Sequence, residues 1–167
     1  AAVRDISKKE KLIYLDELAE NSKGRIEYFE TDLLIDGSYQ NAMEGCELVF
    51  HIASPFIMDS KDPLKEVIDP ALNGTKNVLN SVNVIKSVKK VVVTSSVAAI
   101  YGDNIDSKKV PGGVFDETMW NKTSTPNYGE YSYSKMIAEK EAWKIYESQN
   151  RWDLAVINPS FVLGPSI

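Results

Sequence analysis

Tyr131 and Lys135 stand four residues apart in the stretch NYGEYSYSKMIAEKEAW, Asn127 to Trp143. On a helix that spacing puts both side chains on one face, so the lysine ammonium can approach the tyrosine one turn away. A tyrosine hydroxyl ordinarily titrates near ~10, and a cation within a few ångströms moves such a group by about 1–3 pH units toward ionisation. The pair is therefore able to tune a proton donor. Tyr128 and Tyr133 share the stretch, but the positions four residues on from them are Ser132 and Ile137, which carry no charge. Taken alone, Tyr131 and Lys135 have an equally simple reading as a packed ring and a solvated lysine stem.

The elements that would position them alternate along the chain between apolar runs and helical patterns, which is the signature of an α/β protein with a parallel sheet. Helix is expected over Lys8 to Glu20, strand over Ile26 to Asp32, a short helix near Tyr39 to Met43, and strand again in ELVFHIA. Asp62 and Pro63 read as the cap and first turn of a long helix whose apolar residues, Val67, Ala71, Val78 and Val82 among them, recur at steps of three and four. Pro70 should bend or break that helix. KKVVVTSS reads as a strand buried on both faces, because its apolar residues are continuous. After a long connection from Gly102 to Asn127, the last helix carries Tyr131, Lys135, Ala138, Ala142 and Ile145 on one stripe, and LAVIN is the final strand.

In an open parallel sheet the ligand crevice lies beyond the carboxyl ends of the strands, and several strand ends here carry suitable residues. Ser95 and Ser96 end VVVTSS, where a hydroxyl could donate to a substrate carbonyl. Asp32 closes YFETD, where a carboxylate could accept from an adenine amino group. Ile52, Ala53 and Ser54 follow LVFH, with small residues that permit close backbone approach, and Pro159 and Ser160 follow the last strand. Each also reads as ordinary turn chemistry.

Composition narrows the classes. The 167 residues suffice for one domain, 43% are hydrophobic and 26% charged, and no apolar run approaches the length of a membrane span. A net charge of −5 with interspersed signs offers no footprint for nucleic acid or an anionic membrane. The lone Cys46 excludes an intrachain disulfide and any cysteine-based metal site. A reducing cytoplasmic setting is expected, and the sequons at Asn73 and Asn121 are expected to be accidental. His51 and Cys46, in GCELVFH, are expected to be packed side chains rather than a ligand or nucleophile.

The segments AVRD, ETDLLIDGSYQNAMEGCELVFHIASPF, KKVVVTSSVAAIYG, FDETMW, YSYSKMIAEKEAW and INPSFVLGP occur here in an order that resembles the extended short-chain dehydrogenase/reductases of the epimerase/dehydratase superfamily. Within them the chain is similar to the dihydroflavonol reductase, cinnamoyl-CoA reductase and aldehyde reductase group. The resemblance implies a Rossmann-like, doubly wound parallel sheet and hydride transfer between NADPH, in preference to NADH, and a small-molecule carbonyl substrate. It implies a catalytic set of Ser96, which holds the carbonyl, Tyr131, the proton donor, and Lys135, which lowers the tyrosine pKa and binds the nicotinamide ribose. Arg4 would meet the 2′-phosphate with help from Lys11. Asp32 and Leu33 would meet adenine, Ile52, Ala53 and Ser54 would lie near the ribose and pyrophosphate, and Pro159, Ser160, Phe161 and Val162 would lie against the nicotinamide. Tyr101 and Trp120 are candidates for the substrate pocket, with Trp120 equally readable as an anchor of the long loop. A homodimer paired through the long helices is a further expectation.

The sequence departs from that pattern in two ways. The glycine-rich turn that rests a pyrophosphate on a helix N-terminus occurs nowhere in it, and neither does a C-terminal substrate lobe. Residues 1–167 are therefore expected to form one partial NAD(P)-binding domain of a larger reductase, with an incomplete sheet, a gap between the strands around Val3 and Val49, and weak cofactor binding in isolation. Tyr101 stands where dihydroflavonol reductases carry a polar residue, and the YG ending resembles sugar-nucleotide epimerases. An NAD-dependent epimerase or dehydratase, or a nucleotide-sensing protein on the same fold, are the alternatives. An acidic residue in place of Arg4 would be expected of the first, and loss of Ser96, Tyr131 or Lys135 of the second.

Overall fold

In the computed structural model, which describes residues 1–164 apart from Phe56, Met58 and Asp59, the chain opens on β1 (Ala2–Val3). A 3₁₀ turn over Lys9–Lys11 precedes α1 (Ile13–Glu20), so the expected first helix starts late. β2 (Phe29–Glu30) is shorter than the apolar run that suggested it, because β1 offers only Ala2 and Val3 as pairing partners. α2 (Gln40–Met43) and β3 (Leu48–His51) follow.

Asp62 caps the next helical segment as expected, with its carboxyl accepting from the Lys65 N–H at 3.3 Å. A wide π-type turn over Leu64–Ile68 then passes into α3 (Asp69–Val84), and Pro70 falls in the first turn of α3, where a missing N–H costs little. β4 (Lys90–Thr94), α4 (Glu130–Glu147) and β5 (Asp153–Ile157) complete the order. The long connection before α4 holds 3₁₀ turns over Asn104–Lys109 and Pro111–Gly113.

All strand pairs are parallel, but they form two sheets among the described residues: β1 with β2, and β3 with β4 and β5. In the doubly wound order 3-2-1-4-5-6, the strands β2, β1, β3, β4 and β5 correspond to positions 3, 2, 4, 5 and 6. The division falls at position 1, between β1 and β3, where the sequence pointed to a gap.

The core joins Val78, Leu79 and Val82 of α3 to Val91 and Val93 of β4, with Ala142 of α4 and Trp152 just before β5. Burial of these side chains is the main favourable term, about 1.5–3 kcal/mol for each large one. The stripe expected on α4 is seen in its buried Lys135, Ala138 and Ala142. β3 is one-sided. His51 is buried and Val49 packs on the core, whereas Leu48 and Phe50 are exposed. β4 follows the same rule more weakly, with Val92 between fully buried Val91 and nearly buried Val93.

Candidate active site

Two backbone features set the catalytic candidates at neighbouring strand ends. Beyond β4 and β5 the parallel ladder continues, with the Ser95 N–H donating to Ile157 O at 2.8 Å and the Val97 N–H to Pro159 O at 3.0 Å. Ser96 between them is extended, and its Oγ accepts from the Ala98 N–H at 3.1 Å, capping the turn Val97–Ala99. A hydroxyl that accepts in this way still has a proton to give. Its neighbour Ser95 is 7% exposed, and its Oγ has no partner among the described residues.

α4 starts immediately after Gly129, whose φ of 66° lies in the left-handed region. A Cβ there would also stand 3.1 Å from Ser124 Oγ, so the sharp entry that sets Tyr131 in the first turn depends on glycine. The helix then brings the Lys135 ammonium to 5.7 Å from the centroid of the Tyr131 ring, within cation–π range. Lys135 is 8% exposed, and burial lowers its pKa from the ordinary lysine value. Tyr128 is held differently. Its hydroxyl donates to Asp103 Oδ1 and Oδ2 at 2.9 and 3.1 Å, and that hydrogen bond raises its pKa, which makes it a poorer proton donor.

A second group gathers around the ends of β1, β2 and β3. Arg4, Asp32, Leu33, Ala53 and Ser54 line one cleft of about 600 Å³ with Leu34, Pro55 and Pro70. Small-molecule and cofactor sites occupy roughly 300–1,000 Å³, and a guanidinium fork matches a phosphate. Asp32 spends Oδ1 on the Leu34 N–H at 2.8 Å. The loop is fixed from α3, where buried Asn77 donates to Leu33 O at 3.1 Å and Ile35 O at 2.8 Å and accepts from the Gly37 N–H at 2.9 Å. The set fits the adenosine-phosphate half of a dinucleotide. Lys11, in the exposed turn before α1, and Ile52, 67% exposed, are not among the residues that line the cleft.

Tyr101 and Trp120 share a separate cavity of about 440 Å³ with Ile100, Phe115 and Met119. Tyr101 stacks on Phe115 with centroids 5.0 Å apart, and the Lys140 ammonium sits 5.2 Å from the Trp120 ring. Ser96, Tyr131 and Lys135 are not among its lining residues. The loop that builds it is pinned by Asn121, 2% exposed, which donates to Ala98 O and Ser124 Oγ at 2.9 Å. Its sequon is thus inaccessible in the fold. Pro159 is half-buried, while Ser160, Phe161 and Val162 are exposed beyond β5.

The model of the 3-beta hydroxysteroid dehydrogenase/isomerase family matches residues 2–164. The chain belongs to that family. Relatives of the chain include the cinnamoyl-CoA reductase CAD2 of Medicago truncatula, 41% identical over 99% of this chain and 50% of that protein. The tetraketide alpha-pyrone reductase 1 of Arabidopsis thaliana is 38% identical, with the same shares covered. Among solved structures, Gre2 of Candida albicans in complex with NADPH matches with a TM-score of 0.79 and 32% identity, over 98% of this chain and 50% of that one. The chain spans about half the length of the curated relatives it matches.

Three polar residues that sequence reasoning did not assign to the site meet beside Lys135. His51, 7% exposed, lies with Thr75 and Glu139 around a small cavity that Lys135 and Ser95 also line. His51 Nε2 is 3.4 Å from Thr75 Oγ1, and burial, with a smaller contribution from the Lys135 charge, lowers its pKa to about 4. Glu139 is 6% exposed and accepts from Asn158. The only signals in the sequence were a polar residue ending β3 and a glutamate one turn after Lys135. Among the described residues no group of histidine, cysteine and acidic side chains suits a metal, and no helix is long and apolar enough to cross a membrane.

Proposed function

We propose that the protein is an NADPH-dependent oxidoreductase that interconverts a small-molecule carbonyl compound and its alcohol, with Tyr131 as the proton donor. The observation that carries this reading is the nearly buried Lys135 ammonium against the Tyr131 ring, one helical turn away and beside the strand end of Ser96. NADPH, when bound, supplies the hydride. Ser96 gives its hydroxyl proton as a hydrogen bond to the carbonyl oxygen, since Oγ accepts from the Ala98 N–H and keeps its own O–H to donate. Tyr131 delivers a proton to that oxygen as it becomes an alcohol, and the Lys135 charge favours the tyrosinate left behind. Proton transfer of this kind is worth roughly 10²–10⁴ in rate, and hydrogen bonds to the developing oxyanion add to it. Arg4, Asp32, Leu33, Ala53 and Ser54 would hold the adenosine half of the cofactor, with Arg4 on the 2′-phosphate and Lys11 and Ile52 at its margin. Pro159, Ser160, Phe161 and Val162 would cover the nicotinamide.

The relatives support the reading by their chemistry: a cinnamoyl-CoA reductase, a tetraketide alpha-pyrone reductase and an NADPH complex of Gre2. The test follows NADPH and NADH oxidation by the full-length protein with a panel of aldehydes, ketones and nucleotide sugars. Turnover with NADPH and a simple carbonyl compound is expected, and Tyr131→Phe should abolish it while NADPH affinity stays nearly unchanged. A Tyr131→Phe variant that turns over like the parent would overturn the proposed proton donor, and reaction with nucleotide sugars alone would overturn the substrate class.

A further inference from the structure

We propose that Glu139 and Asn158 act as a pair of positioning residues that hold the Ser96 turn in register with the helix carrying Tyr131 and Lys135. The inference rests on the proposed roles of those three residues. Asn158 follows β5, and its side-chain nitrogen donates both to the Ser96 backbone carbonyl, at 3.1 Å, and to Glu139 Oε2, at 2.7 Å. An amide nitrogen has two hydrogens, and both partners are acceptors, so the orientation of the amide is set by chemistry. Glu139 Oε1 accepts from Trp143 Nε1 at 3.4 Å, one turn further along α4.

The bridge thus runs from α4 through Glu139 and Asn158 to the backbone of Ser96, and ties the turn after β4 to the end of β5 and to the helix. Ser95 and Val97 give their N–H groups to Ile157 and Pro159, while the Ser96 carbonyl between them accepts the Ala99 N–H at 2.9 Å within its own turn and the Asn158 amide from the end of β5. That carbonyl belongs to the residue whose Oγ would meet substrate, and Glu139 lies one turn after Lys135 on the same helix. A carboxyl group 6% exposed is costly to bury, and packing alone would be served by an apolar side chain. Holding two strand ends and a helix at a fixed spacing needs an acceptor at that point.

The experiment compares Glu139→Gln, Glu139→Ala, Asn158→Ala and Asn158→Asp in the full-length protein, with steady-state reduction of a carbonyl substrate and the carbonyl-carbon NMR resonance of Ser96. Glu139→Ala and Asn158→Ala should lower kcat on the order of 10²-fold, the scale of an ångström misplacement, with KM and NADPH affinity little changed. Glu139→Gln keeps an acceptor for Asn158 and should retain most of kcat, and the two alanine changes combined should lose no more than the worse one. Asn158→Asp is nearly isosteric but gives neither acceptor a hydrogen, so it decides the matter even where an alanine variant does not fold. Unchanged kcat in Asn158→Asp, a Glu139→Gln variant as impaired as Glu139→Ala, or additive losses would overturn the proposal. Should the parent reduce no carbonyl compound, the functional reading fails, and the bridge is judged from NMR alone. The Ser96 resonance is then expected to move in Asn158→Asp and stay in Glu139→Gln, and an unmoved resonance in Asn158→Asp overturns it.

Discussion

His51 replaced by glutamine should flatten the acid limb of the protein's stability curve. The imidazole is 7% exposed, and burial first, then the neighbouring Lys135 charge, lowers its pKa from 6.5 to about 4. Between those values the unfolded chain binds a proton that the folded chain refuses, so stability rises with pH through the window. The contribution of a neutral His51 is complete above pH 6.5 and is lost as the pH falls toward 4. At about 1.4 kcal/mol per pH unit, the loss between neutral pH and pH ~4.5 is about 2–3 kcal/mol. That is a large share of the ~5–15 kcal/mol that holds a domain together.

The assay is urea unfolding of the parent and His51→Gln at several pH values, read as the difference between the two. Glutamine is neutral throughout, so other titrating groups cancel and the gap between the proteins should shrink by about 2–3 kcal/mol on going from pH 7 to ~4.5. An NMR titration of the imidazole gives the midpoint directly. Lys135→Met should raise that midpoint only part of the way to 6.5, because burial is the larger cause. Parallel stability curves for parent and His51→Gln, or a midpoint near 6.5 in the parent, would refute the reasoning.

Asn77→Ala removes a buried amide that serves Leu33 O, Ile35 O and the Gly37 N–H. A loss of about 2–3 kcal/mol in urea unfolding is expected, with faster hydrogen exchange at Gly37, since the backbone groups left behind lose their partners. Gly129→Ala forces a left-handed residue with a Cβ 3.1 Å from Ser124 Oγ, and should cost about 1–2 kcal/mol by the same assay. A Gly129→Ala protein as stable as the parent would mean that the start of α4 relaxes to another geometry.

Much of this arrangement was legible because it rests on period and punctuation. The four-residue step from Tyr131 to Lys135 and the valines of β4 are local signals, and the shared helix face and the strand fall where they were expected, although Val92 is only half-buried and β4 is not covered on both faces as its continuous valines suggested. What could not be read depends on partners distant in the chain. β2 is two residues long because β1 is, although its own sequence would support more. Tyr128 is distinguished from Tyr131 by Asp103, which nothing in the spacing of the tyrosines reveals. Glu139 carries no mark in the sequence that separates it from a solvated helix glutamate. Its role emerges only when β5 brings Asn158 beside it.

The division of the sheet gives one helix an unusual burden. The Arg4–Asp32 cleft stands on the ends of β1, β2 and β3, and the proposed catalytic cluster lies beside the ends of β4 and β5, so the β3–β4–β5 ladder reaches only the Ala53–Ser54 wall of the cleft and not its Arg4 and Asp32 side. α3 touches both. Within one turn, Gly74 packs so closely on Leu33 that a Cβ would lie 3.0 Å from its Cδ2, Thr75 meets His51 at 3.4 Å, and Asn77 holds the loop after Asp32. Leu33 belongs to the cleft and His51 to the cavity beside Lys135. A small residue, a hydroxyl and an amide at those positions let the helix approach one side closely and grip the other by hydrogen bonds. The spacing between the Arg4–Asp32 cleft and the cavity beside Lys135 is therefore set as much by residues 74–77 of α3 as by the strands.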